Sequence, residues 1–535
     1  MQLPPPLRTA RVGLQETRRV SSTRARPVKI VVAPTERGGV LVPIDDDGTA
    51  RPVVDCADLA KSMGQIEADL QPRWIWESTA RTYPRLLVSG VRVQRCHDLT
   101  LTEAILAMRR GESSAVVEEP DDRPGLFDTF DHPSPESLLD RYRAHADVID
   151  ESPALRLLIA AESAGALAAA EMSFDGLPFS AAHHRAHLEE TLGPRPPDGS
   201  LPRSMIELEI AVGDAFGRRV NPASPAEVVA AFGRDDIVVE STRAHVLRKI
   251  DHPAVPLILR YRDLAKLFST NGWAWTDTWV RDDRFRPVYV PGGVVSGRWA
   301  SRGGGALQIP KALRHSVIAD PGHMLVIADA GQLEPRILAA MSRDRRMMDA
   351  AGSDDLYALV AGAAFGGDRA KAKVAILGVL YGATSGDARA LLALLRRRFP
   401  DAVDYVERAA RAGERGETVH SWLGRACPPP PPEWWSHGDA HARGRFTRNF
   451  VVQATASEWA LSMLAELRRR LSARPGTGEL VFFQHDEVVV HTREPETARA
   501  LVLDSALAAT RLLFGDTVVR FPMDIAVRER YADPD

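Results

Sequence analysis

The stretch Met324-Leu-Val-Ile-Ala-Asp-Ala-Gly-Gln-Leu-Glu-Pro-Arg336 decides how the chain is read. Its apolar run, Met324 to Ala328, is a buried strand, and a helix begins near Glu334. Asp329 is therefore left at a strand end with little water around it. A carboxylate there needs a cation or hydrogen-bond donors to stay ionised. On this segment alone the plainer reading of Asp329 is an N-cap or turn residue. A second stretch, Leu480-Val-Phe-Phe-Gln-His-Asp-Glu-Val-Val-Val-His491, shifts that reading. Two short apolar strands flank Gln484, His485, Asp486 and Glu487, where a turn pair such as Asn-Gly would be the ordinary choice. Asp329, Asp486 and Glu487 together form an all-oxygen set that suits paired Mg²⁺ ions, which complete their shells with substrate phosphates. Two such ions can clamp the attacking and leaving oxygens of an in-line phosphoryl displacement.

Between these stretches lies a second pattern. Asp368 can cap a helix running to Tyr381-Gly382, on which Arg369, Lys373, Leu377 and Tyr381 recur at every fourth position. The stripe reads cation, cation, apolar, aromatic, as a nucleotide's triphosphate, sugar and base require. An amphipathic surface helix is the alternative. Lysine is rare in this chain (Lys29, Lys61, Lys249, Lys266, Lys311, Lys371 and Lys373), and basic residues are otherwise arginine. Lys373 can release a proton, whereas an arginine cannot. Arg445, Asn449 and Gln453 form another stripe, whose donors could contact base edges in a minor groove or simply face solvent. Ser296-Gly297-Arg298 and Arg302-Gly-Gly-Gly305 precede the first Asp.

The chain has 535 residues, 44% hydrophobic and 26% charged, which suits a multidomain α/β globular protein of roughly three or four domains. With 68 basic against 71 acidic residues the net charge is −3, so any nucleic-acid site must be a local track of positive charge. Cys56, Cys96 and Cys427 have no C-x-x-C spacing, against a disulfide framework or a zinc site. No run of about 18 apolar residues is seen, so no membrane span is expected. The Arg- and Ser-rich start, broken by Pro4–Pro6 and Pro27, is expected to be a disordered extension over 1–27. Expected further along are a hairpin around Gly38–Gly39, helices over Ala57–Leu70, Leu101–Arg110 and Leu155–Met172, and an acidic linker near Glu118–Pro124. Ser224 and Pro225 should cap and open a helix. Pro428–Pro432 is expected as a surface loop, and a helix is expected from about Thr455 to Leu471.

Several of these elements, in order, resemble those of family A DNA polymerases, and within them the short actinobacterial bifunctional 3′–5′ exonuclease/DNA polymerase proteins. Ser296-Gly-Arg298 resembles the T-G-R element, and Asp329-Ala-Gly-Gln-Leu-Glu-Pro-Arg336 the D-Y-S-Q-I-E-L-R motif. Arg369-x-x-x-Lys373 with Tyr381-Gly382 resembles the fingers helix, Asn449-x-x-x-Gln453 the N-x-x-x-Q element, and His485-Asp-Glu487 the H-D-E motif. Asn221–Pro225 and Tyr261-Arg262 to Lys266, ending in Ser269-Thr270, resemble thumb segments. The resemblance runs from about Leu155 to the C-terminus. It implies a right-hand polymerase fold with palm, fingers and thumb, preceded by an RNase H-like 3′–5′ exonuclease-type domain. The implied segments are 28–150 (exonuclease-like), 151–280 (thumb), 281–350 (palm, first part), 351–445 (fingers) and 446–535 (palm, second part).

The resemblance also implies roles. Asp329 and Asp486 would hold two Mg²⁺ ions, with Glu487 beside them and the Ala330 carbonyl as a further ligand. Lys373 would be triphosphate ligand and proton donor, and Arg369 a triphosphate ligand. Leu377, Tyr381, Glu334, Gln332 and Tyr357 would face the nucleotide, Glu334 excluding a 2′-hydroxyl. Arg298, Arg445, Asn449, Gln453, His485 and Arg336 would contact DNA. Departures from the family pattern are Leu377 in place of an aromatic, Tyr357 in place of His, Ala330-Gly331 in place of Tyr-Ser, and Leu307-Gln-Ile-Pro310 without an Asn. The N-terminal segment lacks a D-x-E strand. Cys96-His-Asp98 to Leu106 resembles a mid-domain element, and Tyr142 and Asp147 miss the last exonuclease motif by one position, so this domain is expected to be degenerate and inactive. A 5′-nuclease domain is not expected in this sequence.

The expected function is template-directed DNA synthesis with primer-template DNA and dNTPs as partners, in a cytoplasmic, nucleoid-associated monomer. The alternatives are a catalytically weak primer-template-binding protein that retains the fold, and a single-subunit RNA polymerase. Glu334 and the adjacent Asp486 and Glu487 favour DNA synthesis.

Overall fold

A computed structural model describes residues 28–532, apart from 37, 46–47, 113–132, 303–304, 306–308, 310 and 383–387. The expected N-terminal extension, the acidic linker and most of the segment 303–310 lie outside the described residues. The chain forms two compact units.

The first unit begins with a mixed sheet of order β3-β2-β1-β4-β5. Its strands are β1 (Lys29–Thr35), β2 (Gly38–Ile44), β3 (Val54–Cys56), β4 (Arg73–Trp76) and β5 (Arg95–Asp98). β1 and β2 form the expected hairpin, paired from Lys29↔Ile44 to Thr35↔Gly38, whereas β1, β4 and β5 are parallel. Helices α1 (Leu59–Leu70), α2 (Thr79–Val88), α3 (Leu99–Arg109) and α4 (Pro135–Ile149) connect and cover it. Alternation along the strands splits the core: Ile30, Val32, Trp74 and Trp76 pack on one face, and Val31, Ala33 and Ile75 on the other.

α5 (Pro153–Asp175) is long and apolar enough, by length and composition, to cross a bilayer, contrary to the expectation that no segment is. It is instead a core helix of this unit, and it carries two buried glutamates. Glu162 pairs with the buried Arg425. Glu171 takes a bidentate bond from the buried Arg468, at 2.8 and 2.7 Å, and accepts from the Tyr83 hydroxyl. Arg468 also donates to the carbonyls of Val93 and Gln94. A buried arginine with this many acceptors is fully satisfied, and removing it leaves an unpaired buried charge.

The second unit is mostly helical. It holds α6 (Ala181–Leu192), α7 (Arg203–Ala215), α8 (Pro225–Arg234), α9 (Ala244–Leu247), α10 (Ala254–Asn271), α11 (Trp273–Trp279) and α12 (Lys311–Arg314), with a small sheet of β6 (Leu177–Pro178), β7 (Val280–Arg281) and β8 (Arg284–Phe285). Ser224 caps α8 through the Glu227 amide, with Pro225 in the first turn, as the sequence predicts. Glu227 reaches back to the Asn221 amide.

The first unit resumes with β9 (Val288–Val290) and β10 (Ala300–Arg302), then β11 (Met324–Ala330), α13 (Leu333–Ser342), α14 (Arg345–Ala351), α15 (Leu356–Ala364), α16 (Arg369–Tyr381), α17 (Ala388–Arg398), α18 (Pro400–Glu414) and α19 (Trp434–His437). It ends with α20 (Ala440–Ser472), β12 (Glu479–Gln484), β13 (Glu487–Thr492), α21 (Pro495–Phe514) and β14 (Met523–Arg528). α20 begins well before the expected Thr455, because Thr447 and Gly444 pack tightly on α18. Thr447 donates to the Ala409 carbonyl, and a Cβ on Gly444 would meet the Ala410 carbonyl at 3.1 Å. The antiparallel sheet has order β12-β13-β11-β14.

Arg468→Met should lower the unfolding free energy by about 3–5 kcal/mol, since it strands Glu171. Urea denaturation followed by circular dichroism measures this, and the double variant E171M/R468M should recover part of the loss.

Candidate active site

The four-stranded sheet gathers its acids by register. β11 pairs with β13 so that Asp329 faces Glu487, and with β14 so that Asp329 faces Asp524. Directly opposed residues of antiparallel strands project to the same face, so these three carboxylates form a row. Asp486 joins them from the two-residue turn between β12 and β13, where His485 takes a left-handed φ of 59° and the Asp486 carbonyl accepts the Ala330 amide at 3.2 Å. Burial and then Asp524 push the Asp329 carboxyl up. Burial and then Asp329 push Asp486 up to about 7. Among the described residues neither has an ion-pair partner. Two partly buried carboxylates within a row of acids fit a hard divalent cation.

The strand turns sharply after Ala330. Gln332 is left-handed at φ 58°, and α13 begins at Leu333. That puts Glu334 in the first turn, where its carboxylate accepts from Arg298 at 2.5 Å and from the Tyr381 hydroxyl at 2.7 Å. Burial and then Glu334 push the Tyr381 hydroxyl up to about 12. Gln453 on α20 lies beside Tyr381. Arg298 is aimed by Gly297, whose φ is 81° and whose missing Cβ would sit 2.7 Å from the Arg425 guanidinium. No other residue fits there. Burial and then Arg298 hold His485 below the usual imidazole range. Arg298, Glu334, Tyr381, Gln453 and His485 thus surround one another beside the acids.

α16 matches its expected bounds. Asp368 caps it through the Lys371 amide, and Gly382 ends it in the left-handed conformation. Arg369, Lys373 and Tyr381 are exposed and Leu377 is half-buried, so the stripe faces outward as a set. Among the described residues Lys373 has no ion-pair partner. Arg445 is exposed at the start of α20, and the half-buried Asn449 keeps an Oδ1 with no bonding partner among the described residues.

Two expected contact residues are corrected by the structure. Arg336 is fully buried and cannot reach DNA. Its guanidinium donates to the carbonyls of Gly331, Ala351, Ser353, Asp354 and Arg520 at 2.7–3.0 Å, bolting the corner after β11 to the loop after α14 and the segment before β14. Tyr357, expected to face the nucleotide, is 6% exposed and lies under the Arg369 guanidinium, 5.7 Å from its ring centre, which leaves little of it to contact a ligand. The Gln332 carboxamide is already engaged, donating to Asp355 and accepting from the Leu356 amide. Asp524 and Asp355 were not singled out from sequence. The position of Asp524 opposite Asp329 depends on strand register, which no local pattern carries.

A strand-end acid row thus lies beside a helix stripe headed by two cations. The sequence profile described as DNA polymerase family A matches residues 200–513, more than half of the chain, and the chain belongs to that family. It is 25% identical over 321 residues to DNA polymerase I of Helicobacter pylori, covering 54% of this chain and 35% of that protein. It is 28% identical over 284 residues to the thermostable DNA polymerase I of Thermus filiformis, covering 47% of this chain and 33% of that protein. The chain thus matches about a third of the length of these curated relatives. Its fold is similar to that of the POL domain of Pol1 from M. smegmatis, solved in complex with DNA primer-template and dNTP. The TM-score is 0.71 at 19% identity, covering 94% of this chain and 96% of that one.

The raised Asp486 carboxyl has a consequence for stability. Its ordinary value is 3.8 and its folded value about 7, so in chelator the ionised group costs stability increasingly as pH rises through that window and most above it. Asp486→Asn should therefore stabilise the metal-free protein by about 1–3 kcal/mol at pH 8 and by less at pH 5. Melting curves at the two pH values measure the difference.

Proposed function

We propose that this chain is a template-directed DNA polymerase that adds deoxynucleotides to a primer 3′ end. The observation that carries the reading is the register of β11 with β13, which makes neighbours of Asp329 and Asp486 from remote parts of the sequence. In this reading Asp329, Asp486 and the Ala330 carbonyl hold two Mg²⁺ ions, with Glu487 alongside. When bound, such ions stabilise charge on the attacking and leaving oxygens. The chain's own groups do the rest. Arg369 and Lys373 bind the triphosphate, and Lys373 gives a proton to the departing pyrophosphate. Leu377 and Tyr381 take the sugar and base. Glu334, held from both sides by Arg298 and Tyr381, is a fixed wall against a 2′-hydroxyl. Arg298 and Gln453 read the primer-end minor groove, Arg445 and Asn449 lie near the template, and His485 meets the primer strand.

The thumb is assigned to 151–280, the palm to 281–350 and 446–535, and the fingers to 351–445. α5 nevertheless groups with the first unit, and the 445/446 boundary falls within α20. The segment 28–150 is read as an exonuclease-like scaffold without activity. β1 carries no acid, and Asp98 is buried and spent on the amides of Thr79 and Leu101. Glu103 is bonded to Arg110 and His145. The protein is read as a cytoplasmic, nucleoid-associated monomer. Leu377 and the buried Tyr357 motivate a second reading, a weakly catalytic primer-template-binding protein. The complete acid set and the exposed Lys373 oppose it.

Primer extension tests both readings. Asp329→Ala and Asp486→Ala should lower extension by at least about three orders of magnitude while primer-template binding persists. Extension near the wild-type rate by either variant would refute the site. Glu334→Ala should admit rNTPs that the wild type rejects, and an unchanged dNTP-to-rNTP ratio would remove its role as a gate.

A further inference from the structure

Asp355 sits between the acid row and the helix stripe, and its carboxylate is shared between them. It is the N-cap of α15, accepting from the Ala358 amide at 3.1 Å. The same oxygen, Oδ1, accepts from Gln332 Nε2 at 2.9 Å. Gln332 stands three residues after Asp329, at the left-handed corner where β11 ends. Its own Oε1 accepts from the Leu356 amide at 2.9 Å, so carboxamide and backbone grip each other on both sides of the Asp355 Cα. The remaining oxygen, Oδ2, takes Arg369 Nε at 2.8 Å. The Arg369 guanidinium also lies over the Tyr357 ring. The cation at the head of the stripe is therefore already occupied by an internal anion, itself anchored to the end of the catalytic strand through two further bonds. The ion pair depresses the Asp355 carboxyl below its ordinary value, which agrees with a carboxylate that stays charged in this contact.

We propose that Asp355 is a positioning residue that stands in for a polyphosphate on Arg369, so that an incoming triphosphate must displace it. This rests on the reading of Arg369 as a triphosphate ligand. Asp355 does two things in this account. It keeps Arg369 folded back over Tyr357 until a stronger anion arrives. It also makes affinity depend on ligand charge, since only an anion denser than one carboxylate wins the exchange. After displacement the carboxylate stays seated on Gln332 and Ala358, next to the site, and can retake Arg369 when pyrophosphate leaves. The pair is half exposed, with side chains 55% and 40% accessible, so the competition is modest and reversible rather than a lock.

The probe is inorganic tripolyphosphate, titrated calorimetrically into the full chain in chelator. Asp355→Asn keeps the N-cap and the acceptor for Gln332 but removes the charge, and should bind tripolyphosphate about two- to fivefold tighter than wild type. Asp355→Ser, a second good N-cap, should shift affinity the same way and covers failure of the first variant to fold. Arg369→Ala should bind more weakly, and adding D355N to it should then change nothing. A merely structural role for Asp355 predicts weaker binding or none. Weaker or unchanged binding by D355N and D355S, an undiminished effect in the R369A background, or no binding by wild type would overturn the proposal. Primer extension separates the two claims. Coupling without extension leaves this inference standing and removes the polymerase reading, whereas extension without coupling removes only the inference. If both hold, the KM for dNTP falls in D355N by the factor seen with tripolyphosphate.

Discussion

The pairing of β11 with β13 and β14 is the constraint on which the rest depends. It sets like charges side by side, which electrostatics alone would push apart. The strands hold because the residues behind the acids are fully buried and apolar. Leu325, Val326, Ala328, Val488, Val489 and Val490 are each 0% exposed. A slip of one residue in either pairing would exchange the two buried faces, spoil the packing on both and scatter the acids. The energy of that core is what makes a repulsive cluster tolerable, and the cluster is then available to a cation.

From this row the structure builds outward by hydrogen bonds rather than by further packing alone. Arg336 fixes the turn after β11 to the loop after α14 and to the segment before β14, and Gln332 carries that fixed point to Asp355 and Arg369. On the other side Glu334 ties Arg298 to Tyr381, at the far end of the same helix. Both ends of α16 are thus connected to the few residues that follow Asp329. The position of the helix stripe and the position of the acids are two readings of one corner.

What was legible in the sequence was local. The apolar run before Asp329, the acidic turn at 485–486, the cap at Asp368 and the fourfold spacing along α16 each sit within a few residues, where periodicity and turn chemistry speak directly. Ser224 with Pro225 was legible for the same reason. The errors came where tertiary context decides. An arginine in a motif looks the same whether it meets solvent or five carbonyls, and only the tertiary fold shows that Arg336 belongs to the interior. α5 has the Ala-rich look of a core helix, yet nothing local foretells that its glutamates are answered by arginines hundreds of residues away. Asp524 belongs to the acid row only through a strand pairing, and Asp355 matters only because Gln332 and Arg369 converge on it. The Arg445, Asn449 and Gln453 stripe and the apolar run from Thr455 are one continuous helix, α20, and the contact of Gly444 and Thr447 with α18 holds its first turns.

The two glutamates of α5 have a consequence for how freely that helix can change. Glu162 and Glu171 each neutralise an arginine that belongs to the acid-bearing half of the unit, and Arg468 also spends two of its donors on carbonyls just ahead of β5. A helix that met its neighbours through apolar contacts alone could be trimmed or replaced at the cost of packing only. Here trimming would uncover guanidinium groups that water cannot easily reach and nothing else can satisfy. α5 is therefore held to the acid-bearing half by charge as well as by packing, and a change there is felt at arginines far along the chain.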